Sequence, residues 1–214
     1  MPAYNAGEYL PDLLHLAKEY IPSHDIIVVN DGSNDDTESV VRRSGCTLLS
    51  HAKNRGKGAA LRSGFDFANE KLYDAVITMD ADLQHQPKDI PRFIEEYSLY
   101  HQDVIVGNRL GDKKKMPLHR VLSNTITTFL VQARTGAAIA DSQSGFRCIA
   151  SGVLRKIRIT TDGFEAETEF LIKAAANGCT FSSIPIETIY AGEKSSMTHL
   201  ATTINFIKVL FKQY

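Results

Sequence analysis

Asp80 and Asp82 stand one residue apart in Met79-Asp80-Ala81-Asp82-Leu83-Gln84-His85, directly after the apolar run Ala75-Val76-Ile77-Thr78. In an extended backbone, side chains two residues apart project to the same side. The two carboxylates therefore repel and raise one another's pKa unless something separates their charges. A divalent cation, a lysine or arginine, or bulk water could do so. Hard oxygen donors of this kind suit Mg2+ or Mn2+, which keep coordination positions for water and substrate phosphates. A solvated acidic turn looks the same in sequence, and the pair alone does not choose between the two.

Other stretches carry comparable chemistry. Asp31 follows Val28-Val29-Asn30 and precedes Gly32, which permits a tight turn. Its carboxylate could accept hydrogen bonds from a ribose or a base edge, or close a plain Asx turn. Asn54-Arg55-Gly56-Lys57-Gly58 opens a helical pattern with two glycines and two cations. Helix-start N–H groups beside positive charge make an anion site, and a flexible basic loop is the rival reading. The spacing is neither a Rossmann fingerprint nor a P-loop. The only basic run is Lys113-Lys114-Lys115, with His119 and Arg120 close behind. It reads as solvated surface or as a contact for an anionic substrate or lipid headgroup. Glu165 and Glu167 suit the favourable N-terminal end of a helix dipole, and either could instead serve as a general base.

These residues need elements to position them. Leu10, Leu13, Leu14, Ala17 and Tyr20 recur at helical spacing. Strand-like runs span 25–30, 47–51, 75–80 and 104–106, alternating with helical patterns at 37–43, from 58 through Ala68, and from about Pro87. Such alternation predicts βαβ units and a mostly parallel sheet with helices on both faces. Ligands bind such sheets beyond the carboxyl ends of the strands. Asn30-Asp31-Gly32, Asp80-Ala81-Asp82 and Gly107-Asn108-Arg109 are thereby placed on one rim. In the second half, helices are expected over 118–131 and 165–177, the latter closed by Gly178. A strand is expected over 181–189, with Pro185 marking an edge or bulge. The tail, 198–214, reads as a helix with Leu200, Ile204, Ile207 and Phe211 on one stripe, widened by Phe206, Val209 and Leu210.

Bulk properties narrow the class. A chain of 214 residues suits one domain and buries roughly 70% of its unfolded surface. An apolar fraction of 43% and a charged fraction of 23% are those of an ordinary soluble protein. A net charge of −1 argues against a nucleic-acid partner. Cys46, Cys148 and Cys179 lack metal-ligand spacing and are expected to be reduced in a cytosolic protein. No run of 18 apolar residues predicts a transmembrane helix. Met1 leads straight into Pro2-Ala3-Tyr4-Asn5 without a signal-peptide pattern. A cytoplasmic protein, peripheral on the cytoplasmic face of the membrane, is the expectation.

Eight stretches occur in order: PAYN, VVNDGSNDDT, NRGKGAALRSGF, MDADLQHQPKDI, VGNR, DSQSGFR, GFEAETEFL and IPIETIY. Together they resemble the inverting family-2 glycosyltransferases of GT-A fold, and DADLQH, NR and SGFR narrow the likeness to the polyprenyl- and dolichyl-phosphate sugar synthase branch. The resemblance implies a single α/β GT-A domain with a Rossmann-like, mostly parallel mixed sheet. Residues 1–110 would form the nucleotide-sugar half, 111–195 the acceptor half and 196–214 a C-terminal amphipathic helix. Pro2, Ala3, Tyr4, Asn5, Asp31 and Gly32 would line the nucleoside. Arg55, Gly56 and Lys57 would border it and its phosphates, with Asp80 and Ala81. Asp80, Asp82 and Gln84 would hold Mg2+ or Mn2+. Asp82, Arg109, Arg147, Glu165 and Glu167 are the implied catalytic set.

The implied donor is a UDP- or GDP-sugar and the implied acceptor a polyprenyl phosphate met by Arg109, Arg120, Ser123, Asn124 and Arg147, with peripheral membrane contact. A phosphate monoester is already anionic near neutrality, its second pKa being about 6, so it needs cations more than a base. Guanidinium forks grip its oxygens bidentately. A hydroxyl acceptor would instead call on Glu165, Glu167 or Asp141 as base. A catalytically dead transferase fold is the rival from another class. The chain departs from the pattern in places. No strand precedes Pro2, which leaves a central strand unpaired and the nucleoside pocket part-built. Ala6 stands where relatives carry glutamate, and Gln86 and Lys88 replace Pro and Glu.

Overall fold

A computed structural model describes residues 1–111, 116–189 and 199–214. Three parallel strands open the fold: β1 (Pro2–Ala3), β2 (Ile27–Asn30) and β3 (Thr47–Ser50), in spatial order β1-β2-β3. A second sheet holds β4 (Ala75–Thr78), β5 (Val104–Asn108), β6 (Arg147–Ala150) and β7 (Phe181–Pro185), in order β4-β6-β5-β7. β6 runs antiparallel to both neighbours, and β5 and β7 are parallel. The pairing is thus mixed and mostly parallel, as expected.

Helices α1 (Leu10–Ala17), α2 (Thr37–Ser44), α3 (Lys57–Glu70), α4 (Ile90–Tyr100), α5 (Leu118–Thr135), α6 (Ser151–Lys156), α7 (Ala166–Ala176) and α8 (His199–Phe211) link or cover the strands. In α1 the buried residues are Leu10, Leu13, Leu14 and Ala17, one face at helical spacing. They join a core with Val28, Phe93, Ile105 and Phe146, in which the Phe93 and Phe146 rings lie 4.5 Å apart. A second core gathers Leu61, Phe65, Val106, Ile149, Phe170 and Leu171.

Three features correct the sequence reading. The opening Pro2-Ala3, to which the sequence assigned no element, forms a short strand in register with Val29 and Asn30. The antiparallel β6 and the short α6 were hidden behind the 141–147 motif: four residues carry no measurable period. The strand expected over 181–189 ends at Pro185, which has no N–H to extend a ladder and closes an edge strand. Among the described residues β4 pairs only with β6, and a cavity of about 460 Å3 separates β4 from β2. No helix among the described residues is long and apolar enough to cross a membrane. The expected Lys113–Lys115 run, and the start of the tail helix at Thr198, lie outside the described residues.

Candidate active site

The carboxyl ends of β2, β4 and β5 deliver Asp31, Asp80 and Arg109 to the rim, and each meets a partner there. Asp31 is buried. Its Oδ1 accepts the Arg55 amide at 3.0 Å and lies 2.6 Å from His51 Nδ1, while Oδ2 accepts the Gly56 amide at 2.7 Å. His51 Nε2 in turn lies 2.8 Å from Ser63 Oγ on α3. Asp31 thus pins the loop that leads into α3. Gly56 lies there at φ +96°, and a Cβ would come within 2.3 Å of the Asp162 carbonyl oxygen, so only glycine fits. Gly32 turns at φ +68°. Arg55 is exposed. Sequence reasoning missed His51 and Ser63. The available signal was position, since His51 directly follows β3 on the same rim.

Of the two carboxylates, Asp80 meets a lysine. Lys57, the first residue of α3, places Nζ 2.6 Å from Asp80 Oδ1 and 3.1 Å from Glu167 Oε1, and 5.7 Å from the Phe164 ring centroid. Burial alone would raise the Asp80 pKa, but the Lys57 ammonium, with lesser help from His85 and Arg109, holds it down at about 2. Burial likewise works against the Lys57 charge, and the two carboxylates outweigh it and raise the lysine above its ordinary range. Gly145 makes room for the pair: a Cβ would sit 2.6 Å from Asp80 Oδ2 and 2.9 Å from Glu167 Oε1.

Beyond Asp80, buried Ala81 leads to Asp82, whose Oδ1 accepts the Gln84 amide at 3.0 Å, and Leu83 turns at φ +58°. His85 is buried against Phe146, ring centroids 5.2 Å apart, and desolvation lowers its pKa to about 4. The described residues hold no cluster of three or more His, Cys, Asp or Glu arranged for a metal. The resemblance alone assigns a divalent ion to Asp80, Asp82 and the Gln84 amide oxygen. All are hard donors that suit Mg2+ or Mn2+, while Asp80 Oδ1 is taken by Lys57 and Oδ2 packs against Gly145, where only a glycine leaves space for it.

Arg109 forms a bidentate pair with fully buried Asp141, Nε to Oδ2 at 2.8 Å and Nη2 to Oδ1 at 3.0 Å. Arg147 spends its guanidinium on carbonyls: Ser144 at 2.8 Å, Ser142 at 3.0 Å and Glu167 at 3.1 Å. Glu167 holds Arg147 through its backbone carbonyl at 3.1 Å, and Glu165 stands at the N-cap of α7. The acid of that stretch that sequence reading passed over is Glu169. It is fully buried, bonded to Thr160 and Thr161 and paired with Lys173, and these partners overcome burial and hold its pKa at about 2.

The opening residues dock on the loop after β2. Exposed Asn5, at φ +50°, accepts the Asn34 amide at 2.9 Å, and its own amide donates to Ser33 Oγ at 2.9 Å, with Tyr4 half-exposed beside it. Ala6 is buried and donates its amide to Thr37 Oγ1 at 2.8 Å. Arg120, Ser123 and Asn124 share α5, three and four positions apart and so on one side of the helix. The structure brings the donor-side residues together at the strand ends and leaves these three on a separate helix.

The same chain is similar to several known proteins. It is 28% identical over 212 residues to a UDP-N-acetylglucosamine–dolichyl-phosphate N-acetylglucosaminyltransferase of Methanococcus voltae, covering 89% of this chain and 84% of that one. It is 27% identical over 197 residues to an undecaprenyl-phosphate mannosyltransferase of Micrococcus luteus, covering 87% and 80%. Its fold matches glucosyl-3-phosphoglycerate synthase from Mycobacterium tuberculosis, solved with Mg2+ and UDP, at a TM-score of 0.74 over 98% of this chain and 75% of that one, with 18% identity. That likeness identifies the fold as GT-A. Residues 1–158 match the family described as Glycosyl transferase family 2, and the chain belongs to it.

Proposed function

We propose that this protein transfers a sugar, with inversion, from a UDP- or GDP-sugar to a polyprenyl phosphate. One observation carries the choice of acceptor. Of the three candidate bases, Glu167 and Asp141 are held in ion pairs, with Lys57 at 3.1 Å and Arg109 at 2.8 Å, and Glu165 stands at the N-cap of α7. A carboxylate engaged in this way is not poised over an acceptor hydroxyl. A hydroxyl acceptor would need a base, whereas a phosphate arrives already deprotonated. The relatives named for dolichyl and undecaprenyl phosphate support the same acceptor class.

The mechanism is a single in-line displacement, the acceptor oxygen held opposite the departing diphosphate. Asp31 fixes the loop that carries Arg55 and Lys57, so that the loop amides and both cations border the nucleotide. Lys57 also keeps Asp80 ionised and holds Glu167 in place. Arg109 and Arg120 face the acceptor phosphate, with Ser123 and Asn124 as neutral donors beside them. Arg147 is a positioning residue, tying the 142–144 loop to α7. A divalent cation on Asp80, Asp82 and Gln84 would neutralise charge growing on the leaving diphosphate.

The lipid part of such an acceptor has a surface to meet. Leu118, Leu122, Ile126 and Phe129 form an exposed stripe along α5, with Phe129 65% exposed. Ile204, Ile207 and Phe211 are exposed on α8, whose end is tied to α5 by Arg134. Exposed Lys208 and Lys212 flank them. Apolar stripes with basic flanks suit a bilayer interface, so peripheral contact with the cytoplasmic membrane face is part of the proposal.

The test is a panel of UDP- and GDP-sugars against undecaprenyl and dolichyl phosphate, with and without Mn2+. The expected result is a glycosyl phosphate ester, formed only with metal. Glu167→Gln should weaken, not abolish, that transfer. Product on a glycan hydroxyl alone, with Glu167→Gln inactive, would overturn the reading.

A further inference from the structure

Residues 160–165 join buried Ile159 to buried Ala166, and none of the six is itself buried. Apolar packing therefore does not fix this loop, and hydrogen bonds must. Glu169, one turn into α7 and fully buried, supplies them. Its Oε2 accepts the Thr161 amide at 2.8 Å and the Thr161 hydroxyl at 2.7 Å. Its Oε1 accepts the Thr160 hydroxyl at 2.6 Å, and the two oxygens share the Thr160 amide at 3.0 Å. Lys173, one turn further along, brings its ammonium to Oε1 at 2.5 Å. Only an ionised carboxylate accepts on both oxygens at once, and the lysine offsets the cost of burying that charge.

The ordered loop in turn holds the start of α3. Asp162 O accepts the Gly58 amide at 2.7 Å, Thr161 O accepts from Arg62 Nη1 at 2.7 Å, and the Asp162 carboxylate pairs with Arg62 Nη2. The approach is so close that glycine is required on both sides of Lys57. A Cβ on Gly56 would come within 2.3 Å of Asp162 O, and a Cβ on Gly58 within 2.3 Å of Thr161 O. Phe164, from the same loop, sets its ring centroid 5.7 Å from Lys57 Nζ. Lys57 thus sits between two clamps. Asp31 holds the residues before it through the Arg55 and Gly56 amides, and the loop holds the residue after it through the Gly58 amide.

We propose that Glu169 is a positioning residue for Lys57: through the 160–162 loop it sets the first turn of α3, and with it the place of the ammonium between Asp80 and Glu167. Fully buried, it meets no ligand itself. A carboxylate that only stabilised α7 would act on the fold as a whole, whereas one that places Lys57 acts on the Gly58 side of a single turn. The expected effect on sugar transfer rests on the proposed reaction, and the expected effect on the Gly58 amide does not.

The experiment compares the parent with Glu169→Gln, with Thr160→Val and Thr161→Val combined, and with Leu171→Ala. Leu171 is fully buried on α7, so its truncation loosens that helix through the core and leaves the loop bonds alone. In Glu169→Gln, amide exchange at Gly58 should be about tenfold faster, with Gly56 as slow as in the parent because Asp31 still holds it. The threonine pair of changes removes only the two hydroxyl bonds and should speed Gly58 about threefold. Leu171→Ala should not single out Gly58. In transfer from a UDP- or GDP-sugar to undecaprenyl phosphate, Glu169→Gln should raise donor KM about tenfold and leave acceptor KM within about twofold, and Leu171→Ala should leave both within about twofold. If the parent transfers no sugar, the proposed reaction falls and the exchange pattern alone decides the role of Glu169. The proposal is overturned if Gly58 keeps its protection in Glu169→Gln, if Gly56 and Gly58 lose theirs together, or if Leu171→Ala reproduces either effect. Should Glu169→Gln fail to fold, the threonine changes decide, and unchanged exchange at Gly58 in them overturns the proposal.

Discussion

Two carboxylates stand at strand ends on the same rim, and they are held in opposite ways. Asp31, at the end of β2, is gripped by backbone amides of Arg55 and Gly56 and by His51. Asp80, at the end of β4, depends on one long side chain, Lys57, which it shares with Glu167. Backbone donors cannot leave without unfolding a loop, whereas an ammonium on four methylenes can swing aside. Asp31 therefore behaves as a bracket for the loop, and Asp80 as a charge that can be handed to a ligand. The D-x-D pair was read as a cation site, and the cation already beside it is covalently attached to the protein.

The largest effect should come from breaking the exchangeable pair. Lys57→Met leaves Asp80 and Glu167 facing each other in a part-buried site, and truncating one member of a buried ion pair costs about 3–5 kcal/mol. Urea unfolding measures it. Adding Asp80→Asn to Lys57→Met should recover part of the loss, as a coupled pair requires. A loss below about 1 kcal/mol would show the pair to be solvated like a surface bridge. Asp31→Ala comes next. It strips acceptors from two part-buried amides and a histidine, each unsatisfied group costing about 1–3 kcal/mol, and should raise KM for the nucleotide donor with the loosened loop. Should Asp31→Ala prove milder than Lys57→Met only in activity and not in stability, the two sites would be brackets of the same kind.

Acid sharpens the contrast further. The Asp80 pKa is held at about 2, below the unfolded value of about 3.9. Its pairing therefore stabilises the fold above pH ~4 and is lost as pH falls from ~4 toward ~2. Unfolding monitored across that window should show a drop in stability that is smaller in Asp80→Asn. An equal drop in both proteins would place the acid sensitivity elsewhere, with Glu169 the next carboxylate to replace.

How much of this was legible beforehand follows from the range of each interaction. Alternating patterns fixed most elements because hydrophobic period is local, and the rim followed because strand ends gather where strands are parallel. β6 escaped because it has four residues and derives its place from pairing with β5, whose partners run from Val106–Arg147 to Val104–Ile149, and with β4, from Thr78–Arg147 to Ala75–Ala150, all far apart in sequence. The partners of the charged residues were equally hidden. Lys57 meets Glu167, and Arg109 meets Asp141, across long stretches of chain. Residue type alone could say that Arg109 and Arg147 suit phosphate; it could not say that Arg147 is already spent on three carbonyls.

The smallest prediction tests the bracket at its outermost member. Ser63 Oγ lies 2.8 Å from His51 Nε2, and His51 Nδ1 lies 2.6 Å from Asp31. If Asp31 holds the loop mainly through the Arg55 and Gly56 amides, Ser63 only orients the imidazole. Ser63→Ala should then cost about 0.5–1.5 kcal/mol and leave donor KM within about twofold of the parent, because the amides still fix Arg55 and Lys57. His51→Asn, which keeps a side-chain donor toward Asp31, should behave alike. A tenfold rise in KM for Ser63→Ala with unchanged kcat would mean that the imidazole, and not the backbone, sets the loop, and would move the two strand ends closer in kind: both would then rest on a side chain.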